Sequence, residues 1–181
     1  MSSILKVSEI QDPTNGNTAL SIDTSGNVKT KSIYVGASVT GLQTVTNNTA
    51  TLINFDQQVA SNGLSWDTTN KKCTFNSDNA GTYLISVRLA FFSGSNTFQQ
   101  AMIDLYRGST RFRNTLCLIN GTGGGTTLGA VRHILGVSEA IHTFSSGDEF
   151  SVKGLLQVGS GTAYVHEQQY GSELHLIRLG D

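Results

Sequence analysis

The chain has 181 residues, 38% of them hydrophobic and only 14% charged, with a net charge of −1. About a quarter charged is usual for a soluble domain. Here Ser, Thr, Asn, Gly and Gln fill the gap, and a balance so near neutrality gives no electrostatic reason to bind nucleic acid or an anionic membrane.

From the N-terminus, MSSILKVSEIQDP shows no basic region followed by an apolar stretch, so no secretory signal is expected. Nor does any run of about eighteen apolar residues predict membrane insertion. Residues 1–44 read as one unit. TALSIDTSGNVKTKSIYV predicts two short strands across the turn Thr24-Ser25-Gly26-Asn27, with Leu20 and Ile22 before it and Val28 after. Pro13 sets a loop in IQDPTNG. This segment has too few large side chains for a core, and an isolated hairpin is marginal in water. It is expected to be an arm that lies on something else.

From Val45 to the end, apolar segments recur at short intervals between clusters of Gly, Asn, Ser and Asp. Thr51, Ile53 and Phe55 alternate. Tyr83, Ile85, Val87, Leu89 and Phe91 point one way, and Thr82, Leu84, Ser86, Arg88 and Ala90 the other, a period of two over ten residues. Ala101, Ile103 and Leu105 repeat the pattern, as do Phe150, Val152, Leu156 and Val158, with Gly154 at a gap. ELHLIRL, near the end, is apolar on both faces, which predicts a strand covered on both sides. No segment has a convincing helical period. The expectation is an all-β head over residues 45–181, built of eight or more strands in two packed sheets.

The order of these segments resembles a family. INFD, FNSDNAGTYLISVRLAFF, SSGDEFSVKGLL and GSELHLIRL follow one another as in the jelly-roll heads related to complement subcomponent q and tumour necrosis factor. Phe75 precedes Ala80, Gly81 and Tyr83 of the family's AGxY, and Gly147-Asp148 leads into a later core strand. The resemblance covers about three quarters of the chain, and departs from the family at the terminal strand, where His175 and Ile177 stand in place of aromatics. It implies a jelly-roll β-sandwich that assembles as a tight homotrimer. Tyr106, Tyr164, Leu174 and Leu176 are the expected interface residues, chosen as lying on the face that the core does not need.

The first segment has a resemblance of its own. ILKVSEIQDPTNGNTALSIDTSGNV is similar to the N-terminal stretch of many tailed-phage fibre and decoration proteins, with Ile22 through Val28 as the shared motif. It implies an anchoring arm in which Ile4, Leu5, Val7, Ile10, Leu20, Ile22 and Val28 supply the apolar contacts.

The constellations that could carry chemistry favour structure. Asn120–Gly129 is rich in glycine, and Gly123, Gly124 and Gly125 sit in it, but a phosphate-cradling loop needs a terminal Gly-Lys-Ser/Thr and a following helix. An outward surface loop between strands is expected instead. His133, His142, His166 and His175 have no zinc-type spacing, though a trimer axis offers a route to collecting one histidine from each chain. Asp148 and Glu149 are adjacent, so they alternate faces, and SGD is turn chemistry. Asp56, Asp67 and Asp78 match no fixed calcium motif. No GxSxG elbow marks a nucleophile. Trp66 reads as a core or strand-end aromatic, with sugar stacking as the functional alternative. Cys73 and Cys117 read as two free thiols in preference to a bridge.

The functional expectation is therefore a non-enzymatic virion protein without metal or cofactor, made in the host cytoplasm and carried on the outer surface of capsid or tail. As a decoration protein or head fibre, its homotrimer would bind the major capsid protein or another virion protein through the arms. The alternative is a tail-fibre tip that recognises a host surface glycan or protein through loops of the same head.

Overall fold

A computed structural model describes residues 9–11, 18–22, 25–30, 32–93, 98–119, 133–167 and 171–180. Among them the regular structure is entirely β, sixteen strands in all. The chain divides into two compact units, Met1–Ser32 and Ile33–Asp181.

The first unit holds β1 (Glu9–Gln11), β2 (Thr18–Ile22) and β3 (Val28–Thr30), paired antiparallel in the order β1-β2-β3. Ile22 stands opposite Val28 and Leu20 opposite Thr30, so the expected hairpin is present. Ile10 is 51% exposed and Ile22 38% exposed. A sheet of such short strands covers little apolar surface of its own.

The second unit is a sandwich of two antiparallel sheets. In the seven-stranded sheet, the long β10 (Gly81–Ser93) is the axis. One edge of β10 carries β13 (His133–Phe144) along its length. The other edge carries β16 (Glu173–Gly180) and β15 (Ala163–Val165) end to end. Beyond them lie β4 (Tyr34–Ser38) and β5 (Gln43–Val45), and β7 (Gln57–Asn62) closes the order on β4. The six-stranded sheet runs β12 (Thr110–Ile119), β11 (Phe98–Arg107), β14 (Glu149–Val158), β9 (Lys72–Thr74) and β8 (Trp66–Asp67), with β6 (Thr51–Leu52) also on β14.

The expected boundary at residue 44 lies too late. Tyr34–Ser38 is a strand of the head, seated between β16 and β7. Val35 and Ala37 are its inward residues, and Val39 follows it, each at most 1% exposed. Their small size leaves little hydrophobic signal of a core strand, yet small inward residues are what close sheet packing beside large neighbours requires.

Alternation decides which residues are inside. Tyr83, Ile85, Val87, Leu89 and Phe91 are fully buried, as are Ala101, Ile103 and Leu105 from β11 and Phe150, Val152 and Leu156 from β14. Gly154 fills the gap in that last series because Ile53 occupies the space. A Cβ at Gly154 would lie 2.8 Å from the Ile53 Cδ1. Phe75 stacks on Phe144 with centroids 4.2 Å apart and meets Tyr83 edge-on at 5.2 Å. Trp66 is 4% exposed, and its indole N–H donates to the Phe55 carbonyl at 2.8 Å, which meets the requirement that a buried indole find an acceptor. Gly81 enters β10 at φ +145°, with the Gly180 carbonyl 2.5 Å from where a Cβ would stand. The AGxY glycine is thus fixed by backbone conformation and by space together.

Candidate interaction face

The two outer faces of the sandwich differ in chemistry. On the six-stranded sheet, cross-strand polar pairs are interspersed with apolar residues: Leu116 and Leu52 are 44% and 39% exposed, and Met102 stands between Leu116 and Leu155. Asp104 is only 2% exposed. Its carboxylate accepts from the Asn114 amide at 2.5 Å and lies 3.5 Å from the Arg111 guanidinium. The Lys153 ammonium sits 4.4 Å from the centroid of the Tyr106 ring, and Lys72 pairs with Glu149 at 2.5 Å. These residues are partners for one another across the strands.

The outer face of the seven-stranded sheet carries a longer apolar row. The register aligns Ile141 of β13, Leu84 of β10, Ile177 of β16 and Tyr34 of β4 in one row across the strands. They are 67%, 37%, 45% and 37% exposed. Leu135 and Val137 extend the patch along β13, and Val59 of β7 borders it over Gly36. At the end of the sheet, Phe92 stacks on Tyr164 at 5.6 Å and meets His166 edge-on at 5.9 Å. Exposed apolar residues of this kind, covered by none of the described strands of the head, make this face the candidate interaction surface.

One polar cluster interrupts it. Arg88 forms an ion pair with Glu173, and the His175 Nε2 lies 3.7 Å from the same carboxylate. His175 rests on Gly36, whose missing Cβ would stand 3.1 Å from its Nδ1. Burial, and then the Arg88 charge, hold the His175 pKa below its usual value.

The expected interface residues fall in three places. Leu174 and Leu176 are fully buried in the core. ELHLIRL has apolar residues at both parities, and the strand turns Leu174 and Leu176 inward and His175 and Ile177 outward. Tyr106 lies on the outer face of the other sheet, under Lys153. Tyr164 alone of the four is on the apolar face. Of the arm residues, Ile10 and Ile22 are exposed, and Leu20 and Val28 lie in β2 and β3. Ile4, Leu5 and Val7, and the loop residues Gly123, Gly124 and Gly125, lie outside the described residues. The apolar row itself escaped the sequence reading, although the alternate parity of β10 already carried Leu84. Its largest contributor, β13, has Gly136, Ser138, Ala140 and His142 on the inward side, so the buried side of HILGVSEAIHTF looks less apolar than the exposed one.

Cys73 and Cys117 are free thiols, and burial pushes them up to about 12 and about 11. The Asp148 carboxylate accepts from the Ser145 N–H at 2.8 Å, closing the turn expected there. Asp67 accepts from the backbone of Thr69 and Asn70. Asn70, through its side chain and then its backbone, and Thr69 lower the Asp67 pKa. His142 is on the inner side of β13, stacked 4.0 Å from Phe112, with Nε2 buried and no hydrogen-bond partner among the described residues. Burial, then the Arg107 charge, lower its pKa. Among the described residues, no three His, Cys, Asp or Glu side chains gather as metal ligands.

Neither a protein-family model nor a curated protein matches the chain. Solved structures do. The Eiger TNF of S. frugiperda is 13% identical, with 83% of this chain and 92% of that one aligned and a TM-score of 0.52. Murine APRIL is 13% identical over 82% of this chain and all 100% of its own, with a TM-score of 0.54. The globular domain of zebrafish complement 1qA protein is 10% identical over 81% and 96%, with a TM-score of 0.51. The head therefore has the jelly-roll fold of the tumour necrosis factor and complement heads, as its AGxY and Gly-Asp segments suggested.

Proposed function

We propose that the chain is a non-enzymatic structural protein of a phage virion, a homotrimer that displays its jelly-roll head outward and attaches by its first unit to the capsid as a decoration protein or head fibre. The observation that carries the self-association half is the four-strand apolar row Ile141, Leu84, Ile177 and Tyr34, exposed in the single chain. Burying it against copies of itself removes that surface from water, and closed symmetry lets every copy do so equally. The trimer implied by the family resemblance supplies the stoichiometry. The attachment half is supported by the phage-like segment Ile22 through Val28 and by the exposed Ile10 and Ile22 of a small separate unit. Three such units on one trimer make weak single contacts durable.

Two experiments test the halves separately. Sedimentation equilibrium of the purified chain at neutral pH should give the mass of a trimer, and a monomer at high concentration refutes the first half. Labelling of intact particles should place many copies over the capsid. A few copies confined to the tail would instead favour the receptor-binding reading, and no copies on particles would refute both.

A further inference from the structure

We propose that protonation of His175 opens the self-association face, so that the trimer forms at neutral pH and dissociates in mildly acidic solution. This rests on the self-association reading above and adds a control to it. His175 stands inside the apolar patch, next to Ile177 on its own strand, with Ser86 facing it from β10 and Gly36 from β4. Because Gly36 has no side chain, the ring lies against the backbone of β4. A flat, neutral imidazole in that position can be covered by a second copy.

The charges around it do not provide for a protonated ring once it is covered. On its own strand, Glu173 is 3.7 Å away, but that carboxylate is already engaged by Arg88 of β10. The pair is neutral as a unit, and a proton on His175 adds a second cation beside Arg88. On β13, Glu139 faces Ser86, two strands from His175 and so about 10 Å away, where solvent and salt screen it. Tyr34 and Ser38 of β4 and Val59 of β7 bring no charge at neutral or mildly acidic pH. The side chain of His175 is 45% exposed in the single chain. Covering it removes the water that would solvate the cation, without adding an anion from this face.

The direction follows. At neutral pH the ring is uncharged in both free and assembled chains, and assembly is unaffected. As the pH falls below the ordinary histidine range, where burial and the Arg88 charge place the free chain's own titration, the free chain takes up a proton that the covered ring resists still more, so the linkage favours the free chain. A trimer repeats the effect at three copies.

The test uses the full chain in sedimentation equilibrium at about pH 7.5 and about pH 5, below the lowered His175 titration, with circular dichroism to show that the strands persist at both. Wild type should be trimeric at the higher value, with a midpoint concentration that rises at least about tenfold at the lower one. His175→Gln, which keeps a polar planar group but cannot take the charge, should stay trimeric at both. His175→Asn replaces it should the glutamine variant fail to fold. His142→Phe, which keeps the stack on Phe112, should retain the wild-type response. A wild type that remains trimeric in acid, or a His175→Gln trimer that dissociates as wild type does, overturns the proposal while leaving the trimer standing. A chain that is monomeric at both values removes the self-association reading, and this control with it.

Discussion

Ile141→Ala is the sharpest probe of the apolar face. Ile141 is 67% exposed, roughly 120 Å² of apolar surface, so covering it contributes about 3 kcal/mol at about 25 cal/mol per Å². Truncation to alanine removes about two-thirds of that, about 2 kcal/mol per chain and about 6 kcal/mol per trimer. The midpoint concentration of a trimer scales with the square root of its dissociation constant, so it should rise on the order of a hundredfold. The single chain should scarcely notice, because an exposed substitution shifts its stability by about 0.5 kcal/mol or less. The assay is sedimentation equilibrium across a dilution series at neutral pH, with thermal melting of the dissociated chain as the fold control. Leu52→Ala is the matched comparison, since Leu52 is 39% exposed on the opposite sheet, and it should leave the midpoint in place. The reasoning is refuted if Ile141→Ala moves the midpoint by less than about threefold, or if Leu52→Ala moves it as far.

The end of the arm can be checked by truncation. Removing residues 2–32 should leave a head that melts cooperatively, whereas removing residues up to 36 takes away the buried Ile33 and Val35 and most of β4, and should leave no cooperative transition by calorimetry. Gly81→Ala forces a side chain to φ +145° and into the Gly180 carbonyl. It should lower the stability of the head by at least about 2 kcal/mol in urea titration. Because the His142 pKa is lowered by burial and by Arg107, the unfolded chain binds more protons than the native one just below the ordinary histidine value. Stability is then unaffected above about pH 6.5 and should fall as the pH drops below it. His142→Phe should flatten that decline in melts recorded against pH. With Cys73 pushed up to about 12, alkylation at about pH 8 should track global unfolding, and rapid labelling of Cys73 in the native chain would contradict its burial.

The strands were legible wherever large apolar residues alternate with polar ones, as from Tyr83 to Phe91 and from Phe150 to Val158. Alternation reports a face directly, and the sandwich turns those faces inward. The sheet assignments of the weaker segments were not legible. YVGASV reads as arm because Gly36 and Ala37 carry almost no hydrophobic signal, although the fold needs small residues there, one beneath His175 and the other inside. The candidate face was misplaced for a related reason. When both parities of a strand are apolar, as in β16, composition says that both sides are covered without saying which side the core takes. The answer depends on the partner strands, since Leu174 and Leu176 pair with Val87 and Ile85, whose inward direction is fixed by the rest of β10. The interruption of the apolar patch by Arg88, Glu173 and His175 is a property of register alone, invisible until β10 and β16 are laid side by side.

Tyr34 pairs with Ile177, so the first strand of the head is clamped by its last. A growing polypeptide therefore cannot finish the larger layer until almost all of the head has been synthesised, and closing so wide a loop is slow compared with zipping a local hairpin. In the interval the bare flank of β10 that β16 will occupy is open to intrusion by foreign strands, which makes damage to the final eight or so residues a route to aggregation more than to loss of any one contact.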